Sequence, residues 1–213
     1  MLIPTIILDN FFNYPEKIVE FSKTLQYEEC PNGNWPGKRS KNLSFESQEF
    51  FNKVNLKMIS LIYPIKNIPI SFEAITKFQK ISNIFKQDGW IHTDESMFTF
   101  IVYLSNHKEC GTSLYEPKNH LSETIHEDEK RKSYKDKKFD NDFFLRENNS
   151  RFEENIIVKS RYNRIVGFDS SQIHGAQKFF EEGIKEDRLT LISFILKVQG
   201  NITFGGIENN RQF

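Results

Sequence analysis

The chain has 213 residues, which suits one domain, and its 38% hydrophobic and 14% aromatic content, with 21 Phe, excludes a disordered composition. Its 29 Lys and Arg balance 29 Asp and Glu, so the basic excess usual in nucleic-acid-binding proteins is absent, which argues against such a partner. The apolar runs are too short to span a membrane, and the start resembles no signal peptide, so we expect a soluble cytoplasmic protein. Cys30 and Cys110 form neither a metal-binding pair nor a disulfide framework, which favours reduced thiols.

The N-terminal part, about 1–65, is predicted to be a mainly helical support for the rest of the domain. Its predicted elements are a strand at 2–8, a helix at 14–25, a loop at 30–42 and a helix at 47–61. In the first helix, Ile18, Phe21 and Leu25 recur at helical spacing, and Pro15 suits the first turn. The loop is predicted from its density of Pro, Gly and Asn.

Beyond residue 64, short apolar runs rich in β-branched and aromatic residues alternate with polar or glycine-containing turns. The runs lie at 74–85, 97–105, 164–169 and 188–198. This pattern favours a barrel or a double sheet over βαβ units, so we expect a mainly β fold with flanking helices. The β core is predicted at about 70–117 and 156–200. Between them, residues 118–155 carry dense charge of both signs and are predicted to be a partly helical, solvated insertion.

An H-x-D motif, His92 and Asp94, lies at the end of a predicted strand. Residues i and i+2 of an extended chain project to the same side, so both side chains can contact one ion. His174, which follows the predicted strand at 164–169, is the expected third ligand. Two imidazoles and one carboxylate are typical of non-haem Fe(II) oxygenases, whereas a structural zinc site would be rich in cysteine. The other histidines are expected to be ordinary surface residues: His107, His120 and His126.

Arg188 begins an otherwise apolar predicted strand. A buried guanidinium is costly without a partner, and a dicarboxylate cosubstrate would provide one through two parallel hydrogen bonds. The alternative is a surface salt bridge with Glu186 or Asp187.

The order of H-x-D, distal histidine and arginine resembles the Fe(II)/2-oxoglutarate-dependent dioxygenase superfamily, and most of all its prolyl-4-hydroxylase-like branch. Tyr103 with Leu104 resembles the Tyr-Leu pair of that branch, and residues 110–114 fall where it has a Gly-Gly strand. The resemblance covers about 75–198 without the insertion. Residues 35–39 are similar to a Tyr-Pro-Gly-x-Arg segment of poorly characterised bacterial and phage relatives. The interval between His174 and Arg188 is longer than is common in the family.

The resemblance implies a double-stranded β-helix (jelly-roll, cupin-like) core, with Fe(II) bound by the H-x-D pair and His174. It implies that 2-oxoglutarate is bound by Arg188 and Tyr103, with Thr190 as a further hydroxyl donor. With O₂, such a site hydroxylates a C–H bond and releases succinate and CO₂. Family members that halogenate have a small residue in place of the carboxylate, so Asp94 favours hydroxylation.

The substrate is expected to be an amino acid, a peptide or a small metabolite, and the sequence does not indicate an oligomeric state. Trp90 and Glu95 flank the H-x-D pair and are candidate substrate residues. We also expect Arg39 or Lys38 to contact an acidic group of the substrate.

Two other functions remain open from the sequence. One is a non-catalytic β-barrel that binds or assembles with a partner. The other is a cupin-like metalloenzyme that does not use 2-oxoglutarate. Arg188 and Tyr103 argue against the second, because such an enzyme needs no carboxylate-binding pair inside the barrel.

Overall fold

The computed structural model describes residues 4–63, 69–119, 123–137 and 143–200, and the backbone of 203–204 and 207–208. The strands are β1 (Ile6–Leu8), β2 (Tyr27–Glu29), β3 (Lys38–Ser40), β4 (Ser71–Ile81), β5 (Phe98–Tyr103), β6 (Thr112–Pro117), β7 (Phe152–Val158), β8 (Ile165–Asp169), β9 (His174–Ala176), β10 (Arg188–Gln199), β11 (Thr203–Phe204) and β12 (Ile207–Glu208). The helices are α1 (Pro15–Lys23), α2 (Leu43–Glu46), α3 (Gln48–Ser60), α4 (Glu127–Asp136) and α5 (Phe143–Asn149). Among the helices so described, none has the length and apolarity that crossing a membrane requires.

Two antiparallel sheets form the core. The larger has the strand order β1-β8-β5-β10-β4-β3-β2, and the smaller has the order β7-β6-β9. Side chains of both sheets, among them Tyr103, Val166, Leu114 and Val158, pack into one buried cluster between them. This is the predicted mainly β fold with flanking helices, and its core is a double-stranded β-helix.

The two faces of the larger sheet have different partners. In β5, Phe98, Phe100 and Val102 pack into the largest apolar cluster, which also contains residues of α3. Because neighbouring residues of a strand point to opposite faces, Thr99 and Tyr103 point to the other face, toward the smaller sheet. One face of the larger sheet therefore packs in the apolar core, and the other face is available to form a site.

A buried polar cluster joins α3 to the larger sheet. The Asn55 Oδ1 atom accepts hydrogen bonds from Thr76 Oγ1 at 2.9 Å and from Ser193 Oγ at 2.6 Å. The Asn55 amide donates to the carbonyl of Phe51 at 2.8 Å, so the side chain is satisfied although it is fully buried. This cluster fixes the position of the helix on β4 and β10.

Most elements lie where the sequence predicts them, including α1, which begins at Pro15, and α3, which Ser47 caps by accepting a hydrogen bond from Phe50 N. The loop prediction for 30–42 is partly wrong, because residues Lys38–Ser40 form β3 and pair with both β2 and β4. Such a short strand is stabilised by distant partners, which local composition does not reveal. Residues 2 and 3 of the first predicted strand lie outside the described residues.

The charged stretch at 118–155 is more than a solvated excursion. It contains α4 and α5 as well as the start of β7. Tyr134 and Leu145 are buried in an apolar cluster that also contains Trp90 and Phe85. The stretch therefore packs against the segment that carries the H-x-D motif. The division of the chain into one domain with these parts stays a prediction.

The surface prediction for the remaining histidines is wrong for one of them. His107 is only 3% exposed, and its Nδ1 lies 2.9 Å from Ser105 Oγ. His126 is partly exposed and lies 2.9 Å from Glu147. His120 lies outside the described residues.

Gly167 permits close packing of two strands, and its replacement tests the fold. A Cβ atom there would lie 2.4 Å from the ring of Phe100, its cross-strand partner. We expect Gly167→Ala to lower the free energy of unfolding by about 1–3 kcal/mol, measured by urea denaturation. In the double variant with Phe100→Leu, the loss should be smaller than the sum of the losses in the two single variants. A Gly167→Ala protein as stable as wild type would contradict the packing described.

Candidate metal centre

His92, Asp94 and His174 meet at one point, as the sequence predicts. One nitrogen or oxygen atom of each lies within 4.8 Å of the others. His174 Nε2 is 3.2 Å from Asp94 Oδ2, and His92 Nε2 is 3.7 Å from Asp94 Oδ1. Among the residues that the structure describes, this is the only group of His, Cys, Asp and Glu side chains arranged to hold a metal ion.

Backbone pairing brings the two ligand-bearing segments together. His92 N donates to the carbonyl of His174 at 2.9 Å, and His174 N donates to the carbonyl of His92 at 2.8 Å. Gly89 N continues the pairing by donating to the carbonyl of Ala176 at 2.9 Å. A Cβ atom on Gly89 would lie 2.5 Å from that oxygen, so glycine allows the close approach. The prediction that the H-x-D motif ends a strand is wrong, since His92 forms an isolated bridge with His174.

Each imidazole is oriented by a backbone carbonyl. The Nδ1 atom of His92 lies 2.8 Å from the carbonyl of Trp90, and that of His174 lies 2.8 Å from the carbonyl of Gln172. A carbonyl oxygen can only accept, so in each ring Nδ1 carries the proton and Nε2 of the neutral ring presents a lone pair. The two Nε2 atoms then face the Asp94 carboxylate, an arrangement that suits a shared metal ion.

The Asp94 carboxylate is fixed in an ionised form. Thr99 Oγ1 donates to Asp94 Oδ2 at 2.8 Å, and a hydroxyl chain continues from Thr99 to Ser170 at 2.9 Å and to Ser96 at 2.7 Å. Although burial raises the pKa of Asp94, the hydrogen bond and charge of His174, followed by His92 and Thr99, hold that pKa below its usual value. Sequence analysis missed Thr99, which is five residues from Asp94 and on the inward face of β5.

The pKa of His92 also favours binding of a cation. Burial, followed by repulsion from a protonated His174, lowers the pKa of His92 to about 4. His92 is therefore neutral near pH 7 and has its Nε2 lone pair available.

Arg188, Tyr103 and Thr190 form a buried polar group beside the centre, on the inward face of β5 and β10. Thr190 is the cross-strand partner of Tyr103, and the Arg188 guanidinium lies 5.9 Å from the centroid of the Tyr103 ring. Arg188 is 4% exposed, and its Nε donates to the carbonyl of Cys110 at 3.1 Å.

Only part of this group has hydrogen-bond partners: the Tyr103 hydroxyl donates to Thr112 Oγ1 at 2.8 Å. Within the described part of the chain, Arg188 forms no ion pair, so the alternative salt bridge with Glu186 or Asp187 is not formed. The Thr190 hydroxyl is buried and has no hydrogen-bond partner there. The long interval after His174 does not displace Arg188, because a loop before β10 accommodates it. A buried cation beside an unpartnered hydroxyl fits the carboxylate of a small ligand.

The candidate substrate residues occupy different environments. Arg39 is partly buried and packs 4.5 Å from the Trp35 ring, whereas Lys38 points outward and lies 3.9 Å from Glu29. Trp90 is 4% exposed and packs in the cluster with Tyr134. Glu95 is exposed. Arg39 and Lys38 thus lie in different environments, and Trp90 packs against neighbouring apolar residues. The substrate roles of these residues stay predictions.

Two asparagines at the end of α5 hold the segment that carries the H-x-D motif. Asn149 accepts from Ile91 N at 3.1 Å and donates to the carbonyl of Gly89 at 3.0 Å. Asn148 donates to the carbonyl of Ile91 at 3.0 Å. The two side chains act as a neighbouring strand would, and this role was not visible in the sequence.

A family model described as "Family of unknown function (DUF6445)" matches residues 3–195. The chain belongs to this family. No curated protein matches it.

Solved structures similar to the chain share its fold at low sequence identity. An oxidoreductase of the 2OG-Fe(II) oxygenase family from Burkholderia pseudomallei has a TM-score of 0.51 at 8% identity, over 90% of this chain and 84% of that one. HygX from Streptomyces hygroscopicus, with nickel, 2-oxoglutarate and hygromycin B bound, has a TM-score of 0.53 at 12% identity, over 89% and 82%. The non-heme alpha ketoglutarate dependent epimerase SnoN from nogalamycin biosynthesis has a TM-score of 0.54 at 11% identity, over 95% of this chain and 81% of that one.

Asn149→Ala tests the role of α5 at the metal centre. We expect roughly 10-fold weaker binding of Mn²⁺ in isothermal titration, because loss of the bonds to Gly89 and Ile91 loosens the segment that carries His92. Asn155→Ala, at an exposed position of β7, is the matched control and should bind as wild type does. Unchanged affinity in Asn149→Ala would show that α5 does not position the ligands.

Proposed function

We propose that this member of the family is an iron(II)- and 2-oxoglutarate-dependent oxygenase. We further propose that it hydroxylates a C–H bond of an amino acid, a peptide or a small metabolite, with release of succinate and CO₂. The observation that carries this proposal is the convergence of two Nε2 lone pairs and a carboxylate, each oriented from behind by hydrogen bonds. Three such donors on one side of an ion leave further positions for cosubstrate and O₂, as in non-haem Fe(II) oxygenases.

The group beside the centre supports 2-oxoglutarate as cosubstrate. Arg188 offers a buried positive charge without an acidic partner among the described residues, and Thr190 offers a buried hydroxyl. A dicarboxylate that reached from the metal to Arg188 would satisfy both groups. The solved structure of HygX with nickel and 2-oxoglutarate bound shows that a protein of this fold can accommodate the pair.

The residues of this chain have separate tasks in the proposed reaction. The two histidines and Asp94 would hold the ion. Arg188 binds and orients the far carboxylate of the cosubstrate, while Tyr103 and Thr190 line its path. Together, iron and 2-oxoglutarate supply the oxidising chemistry that attacks the substrate C–H bond. The carboxylate of Asp94 would be a ligand of the ion, where family members that halogenate have a small residue, so it favours hydroxylation over halogenation.

Other outcomes at the same site are distinguishable. SnoN is an epimerase of the same fold, so product analysis must separate gain of one oxygen atom from inversion of a stereocentre. A cupin-like enzyme that ignores 2-oxoglutarate would not use the buried Arg188. A non-catalytic barrel would release no succinate with any substrate. The position of Tyr103 beside Arg188 supports the prolyl-4-hydroxylase-like branch.

Loss of one metal ligand should abolish the reaction. Anaerobic titration with Fe(II) should show one equivalent bound by wild type and at least roughly 100-fold weaker binding by His174→Ala. His126→Ala, a histidine of the insertion, is the control and should bind as wild type does. After addition of 2-oxoglutarate and air, only wild type and control should release succinate against a panel of amino acids and peptides. Wild-type protein that binds iron but releases no succinate would contradict the oxygenase assignment.

Arg188→Gln tests the cosubstrate site. We expect the Kd of 2-oxoglutarate for the Ni²⁺-loaded protein to rise by at least roughly 10-fold, because a hydrogen-bonded charge pair is lost, while Ni²⁺ affinity is retained. Arg161→Gln, an exposed arginine that pairs with Asp9, is the control. Arg188→Lys keeps the buried charge if the first variant is unstable, and it should bind with intermediate affinity. Equal affinity in all four proteins would favour a cupin-like enzyme.

A further inference from the structure

A second arginine enters the inward face of the larger sheet, and the proposed cosubstrate site does not use it. Arg39 on β3 is paired with Gln79 on β4, Gln79 with Thr190 on β10, and Thr190 with Tyr103 on β5. Directly paired residues of neighbouring strands project to the same face. Arg39 therefore lies in the same row as the cosubstrate residues, at the β3 edge of the sheet.

The Arg39 guanidinium is held by rings and has few polar partners. It lies 4.5 Å from the Trp35 ring and 5.7 Å from the Phe194 ring. Its one side-chain hydrogen bond to the described residues, from Nη2 to Gln79 Oε1, is long at 3.5 Å. The Gln79 amide is itself fixed, because it donates to the carbonyl of Pro36 at 2.8 Å. Packing against rings leaves the edge of a guanidinium free for hydrogen bonds in its plane.

Two hydrogen-bond donors of Arg39 and Trp35 are buried. Arg39 Nε and Trp35 Nε1 are buried and have no hydrogen-bond partner among the described residues. No acidic side chain in the described ranges forms an ion pair with Arg39. Buried donors normally have partners, so a ligand with acceptor oxygens would satisfy them.

A second cation lies beside Arg39. Lys77 is two residues from Gln79 on β4, and its ammonium lies 5.6 Å from the centroid of the Trp35 ring. Burial and then the charge of Arg39 lower the pKa of Lys77. Burial lowers the pKa of Arg39 to about 10, partly offset by the charge of Asp94, so Arg39 remains a cation at neutral pH.

We propose that Arg39, supported by Trp35 and Lys77, binds an anionic oxygen group of the substrate, which is therefore an organic anion with a carboxylate or phosphate. Because it names the substrate class, this inference rests on the proposed oxygenase function. Arg39 would anchor the anion by two parallel hydrogen bonds and direct the rest of the substrate toward the metal. Lys38, the neighbour on β3, points outward to Glu29 and takes no part.

The test is a binding comparison that involves no turnover. Protein loaded with Ni²⁺ and 2-oxoglutarate is titrated by calorimetry with N-acetyl amino acids and their C-terminal amides, and with sugar phosphates and the corresponding free sugars. We expect binding by anionic members, at least roughly 10-fold tighter than by their neutral counterparts. The carboxylate and phosphate arms show which anion the site takes.

Variants assign the preference to Arg39. Arg39→Gln should lose at least roughly 10-fold in affinity for the anions and keep its affinity for 2-oxoglutarate. Arg39→Lys should lose less, and Lys38→Gln is the matched control that should bind as wild type does. If Arg39→Gln fails to fold, Lys77→Gln provides the comparison, with an expected loss of a few-fold.

Three results would overturn the proposal. The first is that wild type binds no anion, or binds anions and their neutral counterparts equally. The second is that Arg39→Gln binds the anions as tightly as wild type does. The third is that the main effect of Arg39→Gln is weaker binding of 2-oxoglutarate. The last would assign Arg39 to the cosubstrate. Failure of the oxygenase function gives a different result, since wild type would then release no succinate whether or not Arg39 selects anions.

Discussion

The candidate site depends on hydrogen bonds that hold three possible metal ligands close together. The Nδ1 protons of His92 and His174 are bound by backbone carbonyls, and Thr99 donates to Asp94. With these contacts in place, the two Nε2 atoms and the carboxylate lie close enough together to hold one metal ion. The cost of assembling them is met by the fold, through the reciprocal backbone hydrogen bonds between His92 and His174. Metal binding would then complete an arrangement that folding has already prepared.

Strand pairing extends this centre into a larger site. The row from Arg39 through Gln79 and Thr190 to Tyr103 crosses four strands of one sheet face. Arg188 lies two residues before Thr190 on the same strand and so on the same face. Arg188 is buried and Arg39 is partly buried on this face, and neither forms an ion pair among the described residues. We propose that Arg188 binds the cosubstrate and Arg39 the substrate.

The sequence predicted the parts of the site that follow from local pattern and recognisable order. His92, Asp94, His174 and the inward position of Arg188 belong to these, as do the long strands and helices. It could not predict contacts that depend on tertiary pairing. The sequence predicts a loop where β3 lies, because the strand is stabilised by β2 and β4, which lie elsewhere in the chain.

The charged insertion shows the same limit more clearly. Its composition indicates solvated surface, yet Tyr134 is buried against Trp90, and Asn148 and Asn149 bind the segment before His92. A few apolar and amide side chains among many charges decide this packing, and a pattern of average charge does not single them out. The most direct test of the account is a crystal structure of the protein grown with Mn²⁺ and 2-oxoglutarate. The account predicts one Mn²⁺ peak in anomalous difference density at about 2.0–2.3 Å from the three donor atoms. A peak elsewhere, or either imidazole turned away from the ion, would contradict it.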